Sequence, residues 1–196
     1  MNDILALPAG PLAEASLALA QSTQSKPVAD HSIRSFLFAR LIAAHEGSVN
    51  DAAYDQKVLF AACVLHDLGL GTLAPGEARF EVEGADLAAS LLTEHGVTVA
   101  DVDRVWEAIA LHSSHGIAER RGLITALTYR GVFVDAGRFS AALPADEREQ
   151  VFAGYPRPAS DRSVRDAIVA HASRSEAAAP PYSIAAELLR QARTEV

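Results

Sequence analysis

The sequence predicts an all-α protein, a single bundle of about eight helices filling one domain over residues 1–196. Three observations carry that expectation. Every stretch with periodic apolar residues has helical spacing. The composition is 49% hydrophobic, rich in Ala and Leu and poor in aromatics, which suits a compact helical protein. Gly and Pro cluster between the periodic stretches. A chain of 196 residues buries a sizeable core and gives no clear case for a second domain.

Met1 to Pro11 reads as an irregular arm. Pro11 to Gln21 (PLAEASLALAQ) is a short helix with Pro in its first turn, and the polar run Ser22–Pro27 breaks it. The next helix starts at Asp30, a good N-cap, buries Ile33, Phe36, Leu37, Leu41 and Ile42, and ends at Gly47. His31 lies in its first turn, and Arg34, three residues on, shares its side. Taken singly, His31 reads as a surface or capping residue.

After a polar interval, Ser48–Asp55, comes the apolar run Val58–Leu65, closed by His66-Asp67-Leu68-Gly69. A helix that apolar is buried on nearly every side, so His66 and Asp67 point into protein. Burying an imidazole beside a carboxylate is costly unless both are satisfied, and a divalent cation satisfies both. The competing reading is a capped helix end, with Asp67 on backbone and His66 in the core. Gly69, Gly71, Pro75 and Gly76 form a loop with neither the spacing nor the Lys of a phosphate-cradling motif.

Arg79–Asp86 opens a helix with Val82, Ala85, Ala89 and Leu92 on its apolar stripe, stopped by Gly96. Its Glu81 and Glu83 suit an acid or base near the site, and equally an acidic first turn complementing the helix dipole. Val99 to His112 follows, with Val105 and Ile109 inward, and delivers His112 and His115. Two histidines three apart reach one site only if the helix persists, and Gly116 argues that it frays. Leu123 to Arg138 keeps Leu127, Val132 and Val134 in the core. Asp135 interrupts those apolar neighbours and needs partners, which favours a site. Helices at Pro144–Tyr155, Asp161–His171 and Pro181–Arg193 complete the chain, with Ala177–Pro181 a local breaker rather than a domain linker.

The formal charge of −8, with Lys only at Lys26 and Lys57, argues against a nucleic-acid partner, since phosphate neutralisation needs concentrated Lys and Arg. Cys63 is the only cysteine, which excludes an intrachain disulfide and suits a reducing compartment. No stretch approaches the ~20 apolar residues of a membrane span, and the N-terminus lacks a basic n-region. A cytoplasmic enzyme with a small-molecule substrate and no membrane partner is expected, its oligomeric state left open.

His31, His66, Asp67 and Asp135 lie on three predicted helices, each near a helix end, in the order His … His-Asp … Asp. Two imidazoles and two carboxylates suit one borderline divalent ion, zinc first, with iron, manganese, cobalt or nickel as alternatives. Such an ion lowers the pKa of bound water and polarises an electrophile beside it.

This pattern resembles the HD-domain superfamily of metal-dependent phosphohydrolases, an all-α fold named for the adjacent His-Asp pair. His31, His66-Asp67 and Asp135 fall where that family places its metal ligands. The segments His31-Ser32-Ile33-Arg34, Leu65–Gly69, Arg79–Ala85 and Val105–His112 resemble its cyanamide hydratase branch more narrowly. The resemblance covers roughly residues 27 to 140, within the motif-bearing core. It stops short of the helices over 141–196, which carry no matching motif. It implies a metal-dependent enzyme with His112, Asp67 and Arg34 catalytic and with Phe36, Phe80, Glu81 and His115 against the substrate. His115 stands where the family has a small residue or Pro. The nearness of His112 to His115 argues for one ion rather than two. His45, His95 and His171 lie outside every matching block.

Hydration of a small nitrile-like substrate is the first expectation for function. Hydrolysis of a nucleotide or small phosphate ester is the second, and a non-catalytic metal-binding module the third. The Lys-poor chain, with no Arg cluster near the motifs, tilts the expectation toward a small, weakly charged substrate.

Overall fold

The structure is a computed structural model and describes residues 3–194. Its α-helices are α1 (Pro11–Thr23), α2 (Lys26–His45), α3 (Gln56–Leu65), α4 (Phe80–Glu94), α5 (Val99–Leu111), α6 (Leu123–Asp135), α7 (Ala145–Gly154), α8 (Ser163–Ala172) and α9 (Ile184–Thr194). Four short 3-10 turns join them, and there is no strand among the described residues. The all-α expectation holds, with nine helices among the described residues where about eight were expected. No helix among the described residues is long and apolar enough to cross a membrane.

α3 is the axis of the bundle. Asp55 caps it by accepting from the amides of Lys57 at 2.8 Å and Val58 at 3.2 Å. Every residue from Val58 to Leu65 is buried. Phe60 meets Phe36 of α2 edge-to-face at 4.9 Å. α2 and α6 form the most extensive helix pair. Their backbones approach closely because Gly131 has no side chain: a Cβ there would lie 2.2 Å from the carbonyl oxygen of Ser35. The same device sets the turn after His66-Asp67. A Cβ on Gly69 would lie 1.9 Å from the carbonyl oxygen of Phe80, so glycine lets this turn sit on the start of α4.

α8 and α9 pack on one another and share a second, smaller apolar cluster of Phe80, Ile168, Ala172 and Ala185. Polar clamps tie this pair to the loop before α4. His171 Nε2 donates to Ala78 O at 2.9 Å, Arg174 to Ala74 O at 2.6 Å, and Ser175 Oγ to Gly76 O at 2.7 Å. From the other side, the Glu83 carboxylate accepts from the amides of Gly76, Glu77 and Ala78 at 2.6–3.0 Å. Glu83 therefore holds a loop.

Three boundaries differ from expectation by three residues or more. α2 begins at Lys26, because Pro27 in a first turn starts a helix as readily as it stops one. Asp30 is no cap and instead pairs with Lys26 Nζ at 2.5 Å. α6 ends at Asp135, and Gly137 turns the chain with φ 87°. α9 begins at Ile184, where Ser183 Oγ accepts from the amide of Ala186 at 3.1 Å.

Candidate metal centre and its cavity

The bundle brings His31 from α2, His66 and Asp67 from the end of α3, and His112 from the end of α5 to one point. All four are at most 5% exposed. His66 Nδ1 lies 2.7 Å from Cys63 O, and His112 Nδ1 lies 2.7 Å from Ile109 O. A carbonyl only accepts, so each Nδ1 carries the proton and each Nε2 presents a lone pair. Those lone pairs face Asp67: His66 Nε2 stands 3.2 Å from Asp67 Oδ2, and His112 Nε2 stands 3.8 Å from Asp67 Oδ1. His31 Nε2 is 3.8 Å from Asp67 Oδ2.

One ligand atom each from His31, His66 and Asp67 lies within 4.8 Å of the others, close enough for the three to hold a metal ion. His66 Nε2 and Asp67 Oδ2 are also buried with no hydrogen-bond partner. Buried polar atoms in that condition are costly, and a divalent cation bound by nitrogen and oxygen satisfies both. The residues therefore fit the ion.

Asp135 stands behind His31. Its Oδ2 is 2.6 Å from His31 Nδ1, while Arg34 grips the carboxylate with Nε at 2.6 Å and a terminal nitrogen at 2.9 Å. A carboxylate on Nδ1 turns Nε2 toward the site, as a carboxylate–histidine–metal relay does. In this geometry both Asp135 oxygens are engaged by His31 and Arg34.

Electrostatics agree with the geometry. Burial opposes ionisation of Asp67, yet the imidazoles of His66, His31 and His112 hold it well below the usual carboxylate range. Burial likewise opposes charge on His66, and Asp67 outweighs it and raises that pKa. Burial, then the neighbouring His66, pushes His112 down to about 4, so it is neutral at neutral pH. Asp135 falls to about 2, because His31 and Arg34 outweigh its burial.

The cluster lines a cavity of about 320 Å³. Arg34, Phe80, Ser113, Val132, Phe133, Ile168 and Leu188 contribute to its walls. So do Arg157, Asp161, Arg162 and Arg165, from the segment between α7 and α8 and the first turn of α8. Asp161 is held below its usual range by Ser163, with smaller pulls from Arg34 and Arg157, which places those guanidiniums near it.

Several expected site residues sit elsewhere. Phe36 is fully buried against Phe60 and is core, not cavity wall. Its place on the inward face of α2 is explained by packing alone. His115 is turned away to the surface, where Nδ1 contacts the Tyr129 hydroxyl and lies 3.5 Å from Glu119. The reason is that α5 ends at Leu111 and Gly116 adopts φ 81°, so His112 and His115 share no helix face. Glu81 is fully buried behind the wall, paired with Arg79 at 2.7 Å and bonded by Ser113. Phe80, Arg34 and His112 do line the cavity.

The family model described as HD domain matches residues 28–178. The chain belongs to the HD-domain family. That family is in general one of metal-dependent hydrolases, and the His31–His66–Asp67 cluster is close enough to hold the metal. The HD-domain match runs past residue 140 and takes in the arginine segment and α8. No curated protein matches the chain.

Sequence reasoning missed Arg157, Arg162, Arg165 and Ser113. The arginines carried a signal, since Arg157 to Arg165 (RPASDRSVR) holds three of them in nine residues. That stretch lies far along the chain from the histidines, a distance the fold removes.

Proposed function

We propose that this HD-domain protein is a metal-dependent hydrolase of small phosphate esters. One observation carries the reading: Arg34, Arg157, Arg162 and Arg165 line the same cavity as His31, His66 and Asp67. Guanidiniums match phosphate oxygens in charge and in fork geometry. The expectation of a weakly charged substrate rested on the lack of an Arg cluster near the motifs, and in three dimensions such a cluster is there. A cavity of about 320 Å³ also falls among ordinary small-molecule sites and is far larger than cyanamide requires.

Each residue then has a task. Arg34 fixes Asp135, and Asp135 fixes the His31 ring so that Nε2 faces Asp67. His31, His66 and Asp67 hold the ion, which supplies charge neutralisation and an activated water when bound. Arg157, Arg162 and Arg165 receive the phosphate oxygens and orient the ester. Phe80, Val132, Phe133, Ile168 and Leu188 receive an apolar body and keep water from it. Neutral His112 presents a Nε2 lone pair and accepts a proton there.

The test is a substrate screen with metal-replete protein: aryl phosphates, nucleoside monophosphates and cyanamide, each with and without chelator. Chelator-sensitive phosphate release with cyanamide untouched is expected. Hydration of cyanamide with every phosphate ester untouched would return the reading to the cyanamide hydratase branch.

A further inference from the structure

Ser113 follows His112 in the chain, lines the cavity and is only partly buried. Its hydroxyl donates to Glu81, which is fully buried. Arg79 grips the same carboxylate through Nε at 3.3 Å and a terminal nitrogen at 2.7 Å, which keeps Glu81 anionic. An ionised carboxylate only accepts, so the single proton of Ser113 is committed to it. What the hydroxyl has left to offer is lone pairs. The neighbouring His112 likewise spends its proton on Ile109 O and presents a bare Nε2. The cavity lining thus includes arginine donors from the α7–α8 side and a pair of acceptors at Ser113 and His112.

We propose that Ser113, locked as an acceptor by Glu81, is a specificity-determining residue that reads a hydrogen-bond donor, a hydroxyl or amino group, on the substrate's body. This rests on the phosphate-ester reading and deepens it: the substrate carries an anionic phosphate for the arginines and a donor elsewhere for Ser113. A phosphate oxygen is a poor partner for Ser113, because neither side has a proton to give. Where a site is built to pair with a donor, an analogue without it leaves buried acceptors unmatched and binds more weakly.

The experiment is calorimetric titration of the full-length, metal-replete chain with non-hydrolysable probes. These are phenylphosphonate and its 2-, 3- and 4-hydroxy and amino derivatives. The best donor-bearing isomer is expected to bind roughly tenfold more tightly than phenylphosphonate. Ser113→Ala should bring that isomer down to the affinity of phenylphosphonate, while Ser113→Thr, which keeps the hydroxyl, retains the preference. Thermal melts of both variants show whether they fold as the wild type does. Binding of the phosphonates with no preference among isomers, or a preference that survives in Ser113→Ala, would overturn the role of Ser113 alone. If no phosphonate binds, the phosphate reading fails and takes this inference with it.

Discussion

The two walls of the cavity are made by different physics. On one side, α2, α3, α5 and α6 interlock through fully buried residues such as Phe36, Leu59, Val105 and Leu127, and hold imidazoles and carboxylates rigidly at their ends. On the other, α8 and α9 rest on a small cluster around Phe80 and are tied to the bundle by hydrogen bonds from His171, Arg174 and Ser175. A chelating site needs the first kind of support, since ligand atoms must be held to a few tenths of an ångström. A wall that reads an anion tolerates the second, since long guanidinium side chains adjust. The comparison teaches that metal retention and substrate affinity should fail separately.

The largest effect is expected at Asp67. Asp67→Ala removes the anion that faces all three imidazoles and should abolish both metal retention and activity, read by metal analysis of the purified variant. Full metal occupancy there would break the assignment of the rigid wall.

Asp135 comes next. If it acts by orienting His31, Asp135→Asn should weaken metal binding about 10- to 100-fold rather than abolish it. A loss as complete as that of Asp67→Ala would make Asp135 a direct ligand. Its folded pKa of about 2 lies below the ordinary 3.8, so the unfolded chain binds its proton first. Its contribution to stability is present above pH 4, on the order of 2 kcal/mol, and is lost as pH falls toward 2. Urea titrations of the metal-free protein across that range should show this slope, and Asp135→Asn should flatten it.

The clamped wall is probed at His171. His171→Ala strands the Ala78 carbonyl and should cost about 1–3 kcal/mol in unfolding free energy. Metal content should stay as in the wild type. Loss of metal in this variant would mean that the two walls are one cooperative unit. The smallest effect belongs to His115, which lies outside the cavity. His115→Ala should change stability by no more than about 0.5 kcal/mol and leave turnover intact.

These contrasts also explain what the sequence disclosed. The periodicity of Val58–Leu65 and the His66-Asp67 pair at its end are local, and both the helix and the candidate ligands could be read from them. Asp135 drew attention because a carboxylate among Val132 and Val134 needs partners, although its bonding to His31 and Arg34 spans more than a hundred residues. Phe36 was misassigned because an aromatic on an inward face looks alike whether it lines a core or a cavity. The turn after Leu111 decided His115, and a left-handed glycine there is hard to weigh against a persisting helix. The arginine wall was hard to place for a different reason. The docking of α8 on Phe80 carries Arg157, Arg162 and Arg165 to the cavity that the His31–His66–Asp67 cluster lines, and no local pattern encodes that docking.

The central claim is that the wall built by the C-terminal helices delivers an anionic ester to an ion held by the bundle. Steady-state kinetics of Arg157→Ala and Arg165→Ala on phenyl phosphate, with metal content measured on the same samples, tests it directly. The account predicts KM raised about tenfold or more, since a charge-assisted hydrogen bond contributes on the order of 1.5–3 kcal/mol, with metal content and kcat close to wild type. Unchanged KM in both variants, with the metal still bound, would contradict it.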